Sequence, residues 1–261
     1  MKVLAAVVLG ACLLTTLLAF QRSRQYEYEM QNPTVDPPDA DEKTEYAFAR
    51  LRYQSGGWGR RRGGSWGTDS NKAERQFVQG VRRLTRIHTR SAEEIIDIDS
   101  DEVYNWPWLY AVEVGHWSIS DAQAKRLRDY LDRGGFLMVD DFHGTYEWEV
   151  FLQGIKKVFP DRPIVDIEDD HAIFNALYNL RERVQVPGRQ FVYSGRTYER
   201  DGFEPKWRAI FDDKGRIQVA ICYNMDLGDA WEWADFPDYP EKYASLAYRI
   251  GINYIVYSMT H

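Results

Sequence analysis

The chain has 261 residues, 44% of them hydrophobic and 15% aromatic, and a formal net charge of −7 at pH 7. This apolar content supports a packed core and excludes wholesale disorder, and the acidic balance argues against nucleic acid as a partner. With only two cysteines, Cys12 and Cys222, no structural disulfide is expected inside a folded domain.

Lys2 precedes an apolar run from Val3 to Phe20, and Arg22 and Arg24 follow it. At 1.5 Å per residue such a run just crosses a hydrocarbon core of about 30 Å. Residues 1–24 therefore read as a signal peptide or a membrane anchor, and the lack of an A-x-A pattern near Leu17–Phe20 favours an uncleaved anchor. Leu9-Gly10-Ala11-Cys12 has the composition of a lipidation box, but hydrophobicity continues well past the cysteine. Residues 25–44, polar and containing Pro33, Pro37 and Pro38, form a linker. Residues 45–261 then read as one α/β domain.

Alternation of apolar and polar residues over Ala47–Tyr53 predicts a first strand. A glycine-rich loop from Ser55 to Gly67, carrying Arg60-Arg61-Arg62, leads to Thr68-Asp69-Ser70-Asn71, a set of good helix N-caps. Phe77, Val81, Leu84 and His88 then mark an amphipathic helix. A strand, a glycine loop and a helix N-terminus can bind an anion. The arginine run lacks the GK[ST] ending of a phosphate loop and reads as a solvated loop.

A short strand is expected at Ile95–Ile98 and a longer one at Trp108–Val114. A helix capped by Ser120 runs through Leu127, Tyr130 and Leu131 to the pair Gly134-Gly135. The apolar run Phe136–Val139 is a buried strand that ends in Asp140-Asp141-Phe142-His143. A helix follows across Trp148, Phe151, Ile155 and Val158, and a strand at Ile164–Ile167. Strands alternating with helices of this length predict a three-layer, doubly wound, mainly parallel sheet. Beyond residue 180, Trp207–Phe211 and Ile217–Tyr223 flank the turn Asp212-Asp213-Lys214-Gly215. They predict a C-terminal β-hairpin, with a last helix over Glu241–Met259 as an extension of the domain.

The order of motifs resembles a known bacterial family, the domain of unknown function 4159, within the class I glutamine amidotransferase-like superfamily. The resemblance rests on Phe48–Tyr53 with its glycine loop, Trp106–Tyr110 leading to Gly115-His116, and Leu131–Asp141. It extends through Asp170–Phe174 and Gly251–Tyr257. It implies an amidotransferase/flavodoxin-like scaffold. In such amidotransferases the strand matching Phe136–Asp140 ends in a turn bearing a nucleophilic cysteine. Here Asp140-Asp141 occupies that turn and Cys222 lies far off in sequence. The resemblance thus implies a site location without thiolate chemistry.

Three predicted strand ends carry groups capable of chemistry. Asp140, Asp141 and His143 are the candidate catalytic residues, and His116, Asp170 and His171 the candidate ligand-binding residues. Paired carboxylates supply an acid and a base, or ligate a divalent cation, and this is the only cofactor the sequence suggests. Each residue also has a plain structural alternative, since Asp140, Asp141 or Asp170 can cap the helix that follows it. Trp231-Glu232-Trp233 reads as an exposed aromatic loop suited to a sugar or a protein partner. Three functions follow as expectations. The first is a membrane-anchored extracytoplasmic (periplasmic) domain that binds a small ligand or an envelope protein. The second is a hydrolase using Asp140, Asp141 and His143, with or without a metal, on a carbohydrate-type substrate. The third is a structural component of an envelope complex.

Overall fold

A computed structural model describes residues 35–56 and 65–261. The anchor or signal segment, the start of the linker, and the Arg60-Arg61-Arg62 loop lie outside the described residues. Among the described residues no helix is long and apolar enough to cross a membrane.

In chain order the strands are β1 (Ala49–Arg52), β2 (Gln54–Ser55), β3 (Glu94–Asp97), β4 (Trp108–Val112), β5 (Trp117–Ser118) and β6 (Phe136–Asp140), then β7 (Val165–Asp166), β8 (Lys206–Phe211) and β9 (Ile217–Tyr223). The helices are α1 (Lys72–Leu84), α2 (Asp121–Asp132), α3 (Gly144–Val158), α4 (Gln190–Ser194), α5 (Leu227–Glu232) and α6 (Glu241–Thr260). Seven strands form one sheet in the order β3-β1-β4-β6-β9-β8-β7. From β3 to β9 every neighbouring pair is parallel, and β8 and β7 then add antiparallel. The protein is a mixed α/β fold with a largely parallel sheet.

Strand periodicity divides the core. Phe136 and Met138 of β6 join Tyr46, Phe48, Trp108 and Tyr110 on the face covered by α1, α5 and α6. Leu137 and Val139 point the other way, with Leu51, Leu109 and Ala111, towards α2 and α3. Helix α2 starts in a capping box between Ser120 and Gln123. It stops where Gly134 takes φ +111 and the Gly135 amide donates to the Tyr130 carbonyl at 3.0 Å. That left-handed glycine turns the chain directly into β6.

The chain leaves β1 through α1 towards β3 on one side, then passes to β4, β6 and β9 on the other. Crossovers diverging between β1 and β4 leave a crevice at the carboxyl ends of these strands, the usual place for a ligand in open α/β sheets.

Four expectations change. Residues 206–223, expected as a C-terminal extension, belong to the central sheet: β8 and β9 pair antiparallel, and β9 also pairs in parallel with β6 and occupies an interior position. Cys222, distant from Asp140 in sequence, is therefore on the neighbouring strand and fully buried. Trp231 and Trp233 are not an exposed platform: Trp231 is 0% exposed and Trp233 8%. The α1 stripe is shorter than its periodicity suggests, since the helix ends at Leu84, which is exposed, before His88.

Trp231 anchors α5 against the sheet, with its ring centroid 4.4 Å from Phe77, 5.5 Å from Tyr110 and 5.9 Å from Phe48. Trp231→Ala is expected to cost about 3–5 kcal/mol in urea unfolding. A loss below about 1 kcal/mol would show that α5 is not held by this packing.

Candidate functional site

The parallel strands end in a repeated local geometry. Glu113 directly after β4, Asp141 directly after β6 and Asn224 directly after β9 all take left-handed backbone conformations, with φ +48, +52 and +62. Asp69, in the connection from β1 to α1, has φ +63. Asp and Asn tolerate this region better than most residues and Glu less well, and such conformations gather at functional sites. Glu113, Asp141 and Asn224 each turn the chain off the strand they follow and leave a polar side chain at its carboxyl end.

Asp140 is wholly buried at the end of β6. Its Oδ2 accepts from the Tyr110 hydroxyl at 2.9 Å, the Leu227 amide at 2.8 Å and the Gly228 amide at 3.1 Å. The residue thus caps α5, not the helix that follows it in sequence. Burial pushes its carboxyl up to about 7, against the pull of these donors. Its Oδ1 has no hydrogen-bond partner among the described residues.

Asp141 and His143 meet, with His143 Nε2 3.1 Å from Asp141 Oδ1. Burial raises the Asp141 carboxyl well above the usual range, helped by the charges of Glu113 and Asp69. Burial lowers the His143 imidazole to about 4, so it is neutral at physiological pH. The α3 N-terminus is capped by other groups. Glu147 Oε2 accepts from the His143 amide at 2.6 Å, Asn224 Oδ1 from Gly144 at 2.9 Å and Asp201 Oδ1 from Thr145 at 2.9 Å.

His116 lies on the same edge, its Nε2 3.1 Å from Glu147 Oε1, which also pairs with Arg200 at 2.5 Å. The bond to Glu147 raises the His116 pKa despite partial burial. Burial would raise Glu147, but His116, the His143 amide and Arg200 more than offset it, and its carboxyl stays low.

The structure thus brings Asp140, Asp141, His143 and His116 to one sheet edge. Asp170 and His171 are not there. The His171 ring is 5.5 Å from Phe211 and 5.6 Å from Tyr257, and the Tyr257 hydroxyl accepts from Ile217 at the opposite end of β9. After the two-residue β7 the chain doubles back, and His171 Nδ1 accepts from Ile173 as a local cap. Asp170 does not provide that cap.

Several residues of the site escaped the sequence reading. Asp226 follows β9, is 4% exposed and caps α5 by accepting from the Asp229 amide at 2.8 Å. Asp69 is held in place by Arg50, which is 0% exposed. Arg50 pairs with Glu74 and donates to the carbonyls of Trp66 at 2.9 Å and Thr68 at 2.8 Å. Burial and neighbouring carboxylates raise the proton affinity of Asp69 and Asp226 well above normal. Ligand oxygens of Asp69, Asp141 and Asp226 lie within 4.8 Å of one another, as do those of Asp69, Asp229 and Glu232. The run Ile217–Tyr223 followed by Asn224 and Asp226 repeats the β6 pattern of apolar strand and then acid, and could have revealed this second strand end. A groove of about 440 Å³ lined by Trp148, Phe159, Lys156 and Arg208 lies elsewhere and includes none of these residues.

Cys222 contributes no nucleophile. Burial pushes its thiol well above its ordinary value, reinforced by the nearby Asp140 charge.

Fold and site together define an α/β domain whose parallel strand ends converge on buried carboxylates, with no reactive thiol among the described residues. The chain belongs to the family of the domain of unknown function DUF4159, whose family model matches residues 47–259. No curated protein matches it.

Between the ordinary Asp value of 3.8 and about 7, folded Asp140 keeps a proton that the unfolded chain releases. Its contribution is therefore complete at low pH and lost as pH rises through 7. Asp140→Asn is expected to remove on the order of 2–4 kcal/mol of the fall in unfolding free energy between pH 5 and pH 8. An unchanged fall in the variant would refute this assignment.

Proposed function

We propose that the protein is a ligand-binding domain on an amidotransferase/flavodoxin-like scaffold, with its ligand held at the strand-end carboxylates and no cysteine chemistry. One observation carries this reading: four separate connections, after β1, β4, β6 and β9, each deliver a carboxylate or amide on a left-handed residue to the same switch point. Structural capping accounts for Asp140, Asp226 and Asn224, and Glu113 is engaged with Ser65 and Thr68, which leaves Asp69 and Asp141 without such a role. The parallel order β3-β1-β4-β6-β9 is the doubly wound order in which ligands bind beside the first strand. The partly exposed His116, Arg200 and Asp141 form the accessible rim. An acidic site suits a ligand that presents positive charge or several hydroxyl donors. The apolar run Val3–Phe20 between Lys2 and Arg22 supports an extracytoplasmic domain tethered to a membrane.

A second reading, hydrolysis, is favoured by the Asp141–His143 contact. A neutral imidazole beside a carboxyl of raised proton affinity makes a base and an acid available together. Asp140, consumed by three donors, positions this pair instead of reacting.

Thermal unfolding of the full chain with polyamines, amino sugars and neutral oligosaccharides tests the first reading. At saturation a ligand of the right class is expected to raise the melting temperature by about 2–4 °C, and Glu113→Gln with His116→Ala should abolish the rise. No saturable shift with any of the three classes would sink it. For the second reading, aryl glycosides are expected to release their chromophore with wild type and not with His143→Ala. Turnover that persists in His143→Ala excludes that residue as the base.

A further inference from the structure

We propose that Asp69, Asp141 and Asp226 bind a hard divalent cation of the Ca²⁺ or Mg²⁺ kind. One carboxylate oxygen from each lies within 4.8 Å of the others. Oxygens on opposite sides of a Ca²⁺ ion, bonded at about 2.3–2.6 Å, are themselves separated by about 5 Å. An ion can therefore touch all three side chains with little movement. The three ligands come from three elements: the connection before α1, the turn after β6 and the segment after β9.

A second observation points to an occupant. Asp69 is part-buried as a residue, yet its Oδ2 has neither exposed surface nor a hydrogen-bond partner among the described residues. Asp140, 0% exposed, likewise keeps Oδ1 unpartnered. A carboxylate oxygen withdrawn from water without a donor is costly, and native proteins supply it with a partner. The groups nearest Asp69 include further carboxylates, Asp229 and Glu232, which cannot donate when ionised. A cation at the Asp69, Asp141 and Asp226 oxygens supplies Asp69 with the missing partner.

Space is reserved at the same point. A Cβ on Gly228 would lie 2.5 Å from Asp69 Oδ2 and 2.9 Å from the Tyr110 hydroxyl, so the glycine lets the carboxylate approach the start of α5. Both carboxylate sets that share Asp69 contain engaged oxygens, Asp229 Oδ2 with the Arg189 amide at 2.6 Å and Asp226 Oδ1 with the Asp229 amide at 2.8 Å. The set with Asp141 and Asp226 is preferred because it draws its acids from the ends of two parallel strands, where open α/β sheets bind ligands. The donors are all oxygen, which suits Ca²⁺ or Mg²⁺ better than Zn²⁺. Carboxylate ligands bind a metal in their ionised form, so binding is expected to release any protons they hold.

The inference rests on the ligand-binding reading and names a cation as one occupant of that site. The test uses the full chain in detergent, treated with chelator, dialysed, and titrated calorimetrically with CaCl₂, MgCl₂ and MnCl₂ in two buffers of different ionisation enthalpy. One ion per chain is expected, with proton release and a higher melting temperature. Asp69→Asn and Asp141→Asn should each weaken binding by about tenfold or more. Gly228→Ala should weaken it too without removing a charge, and Glu232→Gln should leave it within about twofold. The wild-type titration does not depend on any variant folding. Absence of saturable binding by all three ions overturns the proposal, as do Asp69→Asn and Asp141→Asn that bind like wild type. Loss confined to Glu232→Gln overturns it in favour of the neighbouring carboxylate set. If no ion binds while an organic ligand still stabilises the chain, the cation alone is removed and the ligand-binding reading stands.

Discussion

Asp140 is the point on which the arrangement turns. One buried oxygen accepts from a strand through Tyr110 and from two amides at the start of α5. It thereby ties β4, β6 and the segment after β9 together at one edge of the sheet. Left without donors, a buried carboxylate costs several kcal/mol, so this side chain and the α5 N-terminus stabilise each other. Their partnership fixes where Asp226 and Asp229 lie, and Trp231, one turn further along α5, is pressed into the aromatic cluster on the same face. The core and the acidic site are therefore not independent. The packing that orients α5 also sets the spacing of the carboxylates.

The second anchor works by charge. Arg50, fully buried on β1, pairs with Glu74 of α1 and holds the carbonyls of Trp66 and Thr68. Its guanidinium sits 5.3 Å from the Tyr110 ring centroid, beside the hydroxyl that reaches Asp140. A single arginine already engaged with Glu74 cannot compensate Asp69, Asp141, Asp226 and Asp229 as well. The raised proton affinities of the first three express that imbalance. A fold under selection for stability alone gains nothing by crowding acids together, because each one costs desolvation and repels the next. This excess is what motivates the proposed occupancy by a cation or by hydrogen-bond donors.

The alternation of apolar strands with capped helices was legible in the sequence, because each parallel strand is a continuous apolar run and each helix carries its own start or stop signal. The Ser120 capping box and the Gly134-Gly135 stop are of this kind. Half of the site was legible for the same reason, since Asp140, Asp141, His143 and His116 directly follow predicted strands. Asp226 was missed because Trp207–Tyr223 reads locally as a hairpin, and nothing local says that its second strand pairs with β6. That pairing is a long-range choice made by the sheet. His171 was misplaced for the converse reason: β7 is only two residues long, and the chain reverses after it. Asp69 read only as part of a helix N-cap cluster and Glu113 carried no local signal beyond its charge, and the left-handed backbone at both is revealed by the folded chain alone.

The position of Cys222 separates this site from thiol chemistry more firmly than the absence of a cysteine from the β6 turn does. It lies one strand from Asp140, so proximity to the switch point is not what it lacks. It lacks exposure and a positive neighbour. A thiol becomes nucleophilic when a cation or a helix N-terminus stabilises its thiolate, and here the α5 N-terminus is taken by Asp140. The charge of the carboxylate that organises the site also opposes ionisation of the thiol next door. Asp141 and His143 are the pair left with both proximity and opposed proton affinities, because Asp140, Asp226 and Glu147 are already engaged in holding α3 and α5 in place.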